Sequence, residues 1–137
     1  MNLIFWQRGF FSGIEFKHLS SLADMPCVTV DRGRLIKNAL FLQLRRLGKE
    51  VYFYAQPDFE IDFLIHAGTH IEGLIQVCFS MSDPETRKRE FKSLLKASAK
   101  FDCRDMLVIT WEEEGEEIID SKTIRIVPLW KWLLQRP

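Results

Sequence analysis

The sequence predicts a single α/β domain, a mixed β-sheet flanked by helices. Three observations carry this. Residues 50–80 alternate β-branched and aromatic runs with two turns. Ser82-Asp83-Pro84-Glu85 opens a well-capped helix. The apolar run MLVITW (106–111) follows that helix at a distance suited to a crossover connection. At 137 residues the chain is long enough for one domain. Nineteen basic and nineteen acidic side chains cancel, 28% of residues are charged and 47% are hydrophobic. This excludes a disordered or low-complexity chain. Zero net charge gives no global attraction to nucleic acid or anionic membrane, so such contacts would need a local patch.

The elements follow in order. IEFKHLSSLADM (14–25) reads as a short helix and CVTVD (27–31) as a short strand. In GRLIKNALFLQLRRLGKE, the residues Leu35, Ile36, Ala39, Leu40, Leu44 and Leu47 recur at helical spacing. Gly48 is placed to end that helix, with Arg45, Arg46 and Lys49 at its negative pole. VYFYA (51–55), EIDFLIH (60–66) and HIEGLIQVCFS (70–80) form a three-stranded antiparallel meander. The capped helix runs to about Phe101, with Phe91, Leu94, Leu95 and Ser98 inward. MLVITW is a buried strand, residues 112–117 an acidic turn around Gly115, TIRIVP (123–128) a strand, and LWKWLL (129–134) a closing helix. Trp130 and Trp132, two apart, face different ways, one core and one lid.

Three widely spaced cysteines, Cys27, Cys78 and Cys103, contain no CxxC pair and predict reduced thiols and a cytoplasmic location. No apolar run is long enough to span a membrane, and no signal peptide is expected. No GxxxxGK[ST] loop is present, so no nucleotide binding by this chain alone is expected. His66 and His70, flanking a turn, are read as exposed polar residues rather than metal ligands. The apolar N-terminus (Ile4, Phe5, Trp6, Phe10, Phe11) either closes the core or builds a homodimer contact.

One constellation has the layout of chemistry. Strand alternation lets Asp62, Gln76 and Cys78 share a face. An acid followed 14 positions later by a polar-x-polar triplet on the next strand is the layout of a metal-dependent nuclease. Such a site needs carboxylates for Mg²⁺ and usually a lysine to orient water. Here the triplet is Gln-Val-Cys: Gln76 offers a neutral carbonyl and Cys78 cannot replace the lysine. The plainer reading is a polar strand face under a loop. Six cations lie in residues 31–50, and six acids with no cation in residues 111–120. Arg34, Arg45, Arg46 and Lys49 are the candidate nucleic-acid contacts; the alternative is a solvated helix surface.

RGRLIKNALFLQLRRLGKEVYFY, EIDFLI, GLIQVCFSMSDPETRKREFKSLLKASAKF, LVITWEEEGEEII and IRIVPLWKWLL together resemble the C-terminal DUF4143 domain of predicted archaeal and bacterial AAA+-type ATPases. The resemblance covers about residues 32–134 and leaves 1–31 as a divergent segment. It implies a restriction-endonuclease-like, PD-(D/E)xK core. The chain departs from the family in lacking the ATPase module, as the absent phosphate loop indicates, and is expected to be either a stand-alone remnant or a fragment of a larger gene. Where the family's first helix opens Leu-Leu-Glu-Asn, this chain has Leu35-Ile36-Lys37-Asn38, and the family's Glu-x-Lys falls on Gln76-Val77-Cys78. The expectation is a degenerate site at Lys37, Asp62, Gln76 and Cys78, with no cofactor and with a DNA or protein partner. The alternative is weak nuclease activity with Mg²⁺ or Mn²⁺ at Asp62. In an active relative the helix carboxylate and the strand Asp would share a cation, so Lys37 is expected within ion-pair or one-water distance of Asp62; the alternative is an exposed helix lysine.

Overall fold

The computed structural model describes residues 15–18 and 32–135, and the statements below concern these residues. The chain is a mixed α/β domain. Strand β1 (Glu15–His18) is followed by helix α1 (Arg32–Arg46), the meander β2 (Glu50–Gln56), β3 (Phe59–Ala67) and β4 (His70–Val77), and helix α2 (Pro84–Phe101). Then come β5 (Met106–Thr110), β6 (Gly115–Ile119), β7 (Lys122–Pro128) and α3 (Leu129–Leu134). The sheet order is β1-β2-β3-β4-β5-β7-β6. Each of the first four strands pairs antiparallel with the next, β4, β5 and β7 run parallel, and β6 pairs antiparallel with β7.

Strand alternation divides the core in two. Tyr52, Tyr54, Leu64, Leu74, Met106, Val108 and Ile124 face α2, which contributes Phe91, Leu94, Ala97 and Phe101. Phe53, Phe63, Ile75, Leu107, Ile109 and Val127 face α1 and α3, where Ile36, Leu40, Phe41 and Leu44 are buried. Helices therefore cover both faces, as β4, β5 and β7, buried on both sides, require.

The helix ends form as their residues dictate. Gly48 sits at φ +73°. Its N–H donates to the Arg45 carbonyl, and the Lys49 N–H to the Leu44 carbonyl, both at 3.0 Å. This double closure of the last turn needs the left-handed residue that glycine supplies. At the start of α2 the Asp83 carboxylate accepts the Thr86 N–H at 2.9 Å. Ser98 is buried on the inner stripe, as its spacing predicts. Trp132 packs on the core while Trp130 is exposed. None of the described helices is long and apolar enough to cross a membrane.

Several expectations are corrected. Glu15–His18, expected within a helix, is a strand on the edge of β2. The rest of that stretch, the strand expected at 27–31 and the N-terminal aromatics lie outside the described residues. Leu35 is 64% exposed and Phe41 takes an inward place instead. The inward ridge is 36-40-44, and Leu35 lies on its flank with exposed Leu42. The strand expected to end at 80 ends at Val77, and that expected to end at 111 ends at Thr110. The acidic stretch is not all turn: Gly115–Ile119 is β6. A two-residue turn at Asp120 and Ser121, both at positive φ, folds it onto β7.

Candidate functional site

The site lies where the sheet forks. β3 and β4 pair from Ala67/His70 to Phe63/Ile75, with a register shift between Ile65 and His66, and pairing stops there. Beyond that point β3 stays with β2, through Ile61 and Phe59, while β4 stays with β5, through Gln76 and Val77. Their separation would orphan backbone groups on the facing edges, which is costly in a buried sheet. Side chains replace the missing ladder. Gln76 Oε1 accepts the Asp62 N–H at 2.8 Å, and Gln76 Nε2 donates to the Glu60 carbonyl at 2.9 Å. Asp62 Oδ2 accepts the Val77 N–H at 2.8 Å.

Lys37 reaches the fork from α1. Its Nζ stands 3.2 Å from Asp62 Oδ1, the ion pair expected from the helix substitution. From α2, on the other face, Glu90 lines the same cavity of about 430 Å³ with Arg89, Lys37, Asp62 and Gln76. Burial pushes the Glu90 carboxyl above the usual glutamate range, and the Asp62 charge adds to this. Arg89, 3.2 Å away, opposes the shift.

Both Asp62 oxygens and both ends of the Gln76 amide are thus engaged. A cation at Asp62 would have to displace the Lys37 ammonium. Among the described residues no group of three His, Cys, Asp or Glu side chains is placed to hold a metal. Cys78 does not join Asp62 and Gln76. It lies past the end of β4, and its thiol donates to the Ser80 carbonyl at 2.9 Å. Burial, and then the Glu90 charge, push that thiol's pKa up. Asp62 and Gln76 are joined at the fork, while Cys78, packed against the same core cluster as Leu74, stays outside the cavity they line.

The basic helix is not one patch. Lys49 pairs with Glu72 at 3.0 Å. Arg34 lies near the start of α1, and Arg45 and Arg46 at its end, a rise of roughly 16 Å away at 1.5 Å per residue. His66, expected exposed, is 5% exposed, with Nδ1 3.6 Å from Glu50 and its ring edge-on to Tyr52. A register shift between Ile65 and His66 accompanies this inward position.

Two acids went unassigned in the sequence. Glu90 directly precedes buried Phe91, so a helical wheel places it beside the inner stripe. Glu113 was part of an undifferentiated acidic turn. Its Oε1 accepts from Ser80 Oγ and from the Met81 N–H, both at 2.7 Å, joining the loops after β4 and β5. No local sequence signal marks that contact.

Glu90→Gln tests the site's electrostatics. The folded protein holds Glu90 above its unfolded pKa, so its charge costs stability at neutral pH and the cost disappears on acidification. The variant is expected to be more stable than wild type at pH 7, by under about 1 kcal/mol. The two should converge below the ordinary glutamate range. Urea unfolding at both pH values checks this, and an unchanged or lower midpoint at pH 7 refutes it.

Fold and site together define a three-layer α/β domain whose central acid is neutralised by a helix lysine. Over 114 aligned residues the chain is 38% identical to an uncharacterised protein, MJ1544, of Methanocaldococcus jannaschii. The match covers 76% of this chain and 25% of the relative, so the chain spans about a quarter of the curated relative's length. No family model matches the sequence, and no solved structure matches it.

Proposed function

We propose that this chain is a non-catalytic binding module with a restriction-endonuclease-like core, related to the C-terminal domain of predicted AAA+-type ATPases. The observation that carries the reading is the double engagement of Asp62, by Lys37 at 3.2 Å and the Val77 N–H at 2.8 Å. A nuclease of this layout needs that carboxylate free for a hard cation. Gln76 adds no charge, and its amide is committed to the backbone.

The partner we favour is a protein. The chain's net charge is zero, Lys49 is ion-paired, and Arg34 is separated from Arg45 and Arg46 along α1, with exposed Leu35 and Leu42 between them. Phosphate binding favours a contiguous cationic track. Free Cys78 and Cys103 fit a reducing, cytoplasmic compartment.

The test is a gel with labelled duplex and single-stranded DNA, run with Mn²⁺ or with EDTA. No cleavage in either set is expected. Mn²⁺-dependent cleavage abolished by Asp62→Ala would make the chain a nuclease and end this reading. A salt-sensitive shift without cleavage would keep the inert site but make DNA the partner, through Arg34, Arg45 and Arg46.

A further inference from the structure

We infer that the free edge of β6, with the groove between it and α2, is a docking site for an extended peptide strand that places an apolar side chain flanked by carboxylates against α2. The inference rests on the reading of this chain as a protein-binding module, and it uses none of the residues at the fork.

Among the described residues β6 is the outermost strand and pairs with β7 alone. Ile119 and Lys122 flank the two-residue turn and form a hydrogen-bonded pair, so hydrogen-bonded pairs recur at Glu117 and Gly115. The N–H and C=O groups of Glu116 and Ile118 therefore point outward, where an added strand would meet them. Ile118 is 72% exposed, an apolar residue left uncovered on this edge.

The groove supplies side-chain selectivity. Its volume is about 480 Å³, and Phe91, Leu95 and Ile119 give it an apolar floor. Four α2 cations stand on its rim. Arg87 is neutralised by Glu117 at 3.2 Å and Lys96 by Asp58 at 2.7 Å. Lys88 and Lys92 are exposed and have no ion pair among the described residues. Side chains two apart on a strand face the same way. A strand carrying acid-x-apolar-x-acid toward α2 thus sets its apolar residue on the floor and its acids by Lys88 and Lys92. The charge pattern disfavours a second copy of β6 paired in the register centred on Glu117. Antiparallel self-pairing centred on Glu117 would set that residue opposite its own copy, and like charges directly opposed are destabilising.

The test uses the full chain, isotopically labelled, titrated with the capped peptide Thr-Glu-Val-Leu-Thr-Glu-Thr and followed by amide and lysine side-chain NMR. Saturable shifts at Glu116, Ile118, Lys88 and Lys92 are expected. Replacing both peptide glutamates by lysine, or making the double variant Lys88→Glu/Lys92→Glu, should weaken binding at least about fivefold. Ile118→Pro should abolish binding while leaving the β7 amide shifts in place, because that N–H is not used by β7. Any one of four results overturns the inference: no saturable shift, equal binding of the lysine peptide, retained binding by the proline variant, or competition by decanoate that moves the groove without the β6 amides. The last result would identify a site for an anionic amphiphile. Failure here leaves the DNA gel unaffected, and cleavage in that gel leaves this titration unaffected, so the two readings fail separately.

Discussion

Gln76→Leu is expected to lower the unfolding free energy by about 2–4 kcal/mol, with the cost arising in the backbone. The leucine fits the volume but removes the acceptor for the Asp62 N–H and the donor for the Glu60 carbonyl. Gln76 is 4% exposed, so water does not readily replace either bond. Gln76→Glu separates hydrogen bonding from shape. It can still accept from Asp62 but cannot donate to Glu60, and it adds a negative charge beside Asp62 and Glu90. It should be destabilised as well, and the loss should shrink on acidification as the carboxyl protonates. A loss below about 0.5 kcal/mol for Gln76→Leu, measured by urea unfolding, would mean the fork closes without the amide. In a double-mutant cycle, Lys37→Met with Asp62→Asn should show a coupling of about 1 kcal/mol, because the pair is only partly shielded from water.

The second large effect is alkaline. Burial, reinforced by the Asp58 charge, raises the Tyr54 phenol from 10.0 to about 12. Tyr54 is fully buried, with its ring against Phe59 and Phe101 at 5.4 and 5.1 Å between centroids. In the unfolded chain the phenol titrates near its ordinary value. Between about pH 10 and pH 12 the native state therefore binds more protons, and stability falls as pH rises. The contribution is complete below the unfolded pKa, and its loss across the window amounts to roughly 2–3 kcal/mol. Tyr54→Phe, which keeps the ring, should flatten this alkaline slope. Stability against pH from urea unfolding, with phenolate absorbance followed in parallel, measures it. An identical slope in the variant would assign alkaline unfolding to other groups.

Local chemistry made most of the architecture legible. The meander followed from alternation and two turns, α2 from Asp83 and Pro84, and the end of α1 from Gly48. The parallel placement of β5 followed from the length of α2. β6 escaped because five acids in residues 112–117 mask a strand whose formation is decided by pairing with β7 and by the turn at Asp120 and Ser121. Leu35 misled for a related reason: helical spacing identifies a face, and only the neighbouring sheet decides where that face stops. At the site, the positions Asp62 and Gln76 were legible from strand alternation, and Lys37 with its Asp62 pair only through the family resemblance. What Gln76 does was not, because its role depends on where β3 and β4 part, a property of their other partners. Glu90 lay hidden in a charged helix run for the same reason, since its meaning comes from the strand pair beneath it.

The side-chain bridging of the fork makes its present state hard to leave. Freeing Asp62 Oδ2 for a metal strands the Val77 N–H, and exchanging the Gln76 amide for a carboxylate strands the Glu60 carbonyl. Both of these steps toward a cation site therefore open the sheet before any ligand is there to compensate. Under selection for a folded chain such steps are removed one at a time, so a lineage with this arrangement moves away from metal chemistry more easily than back toward it.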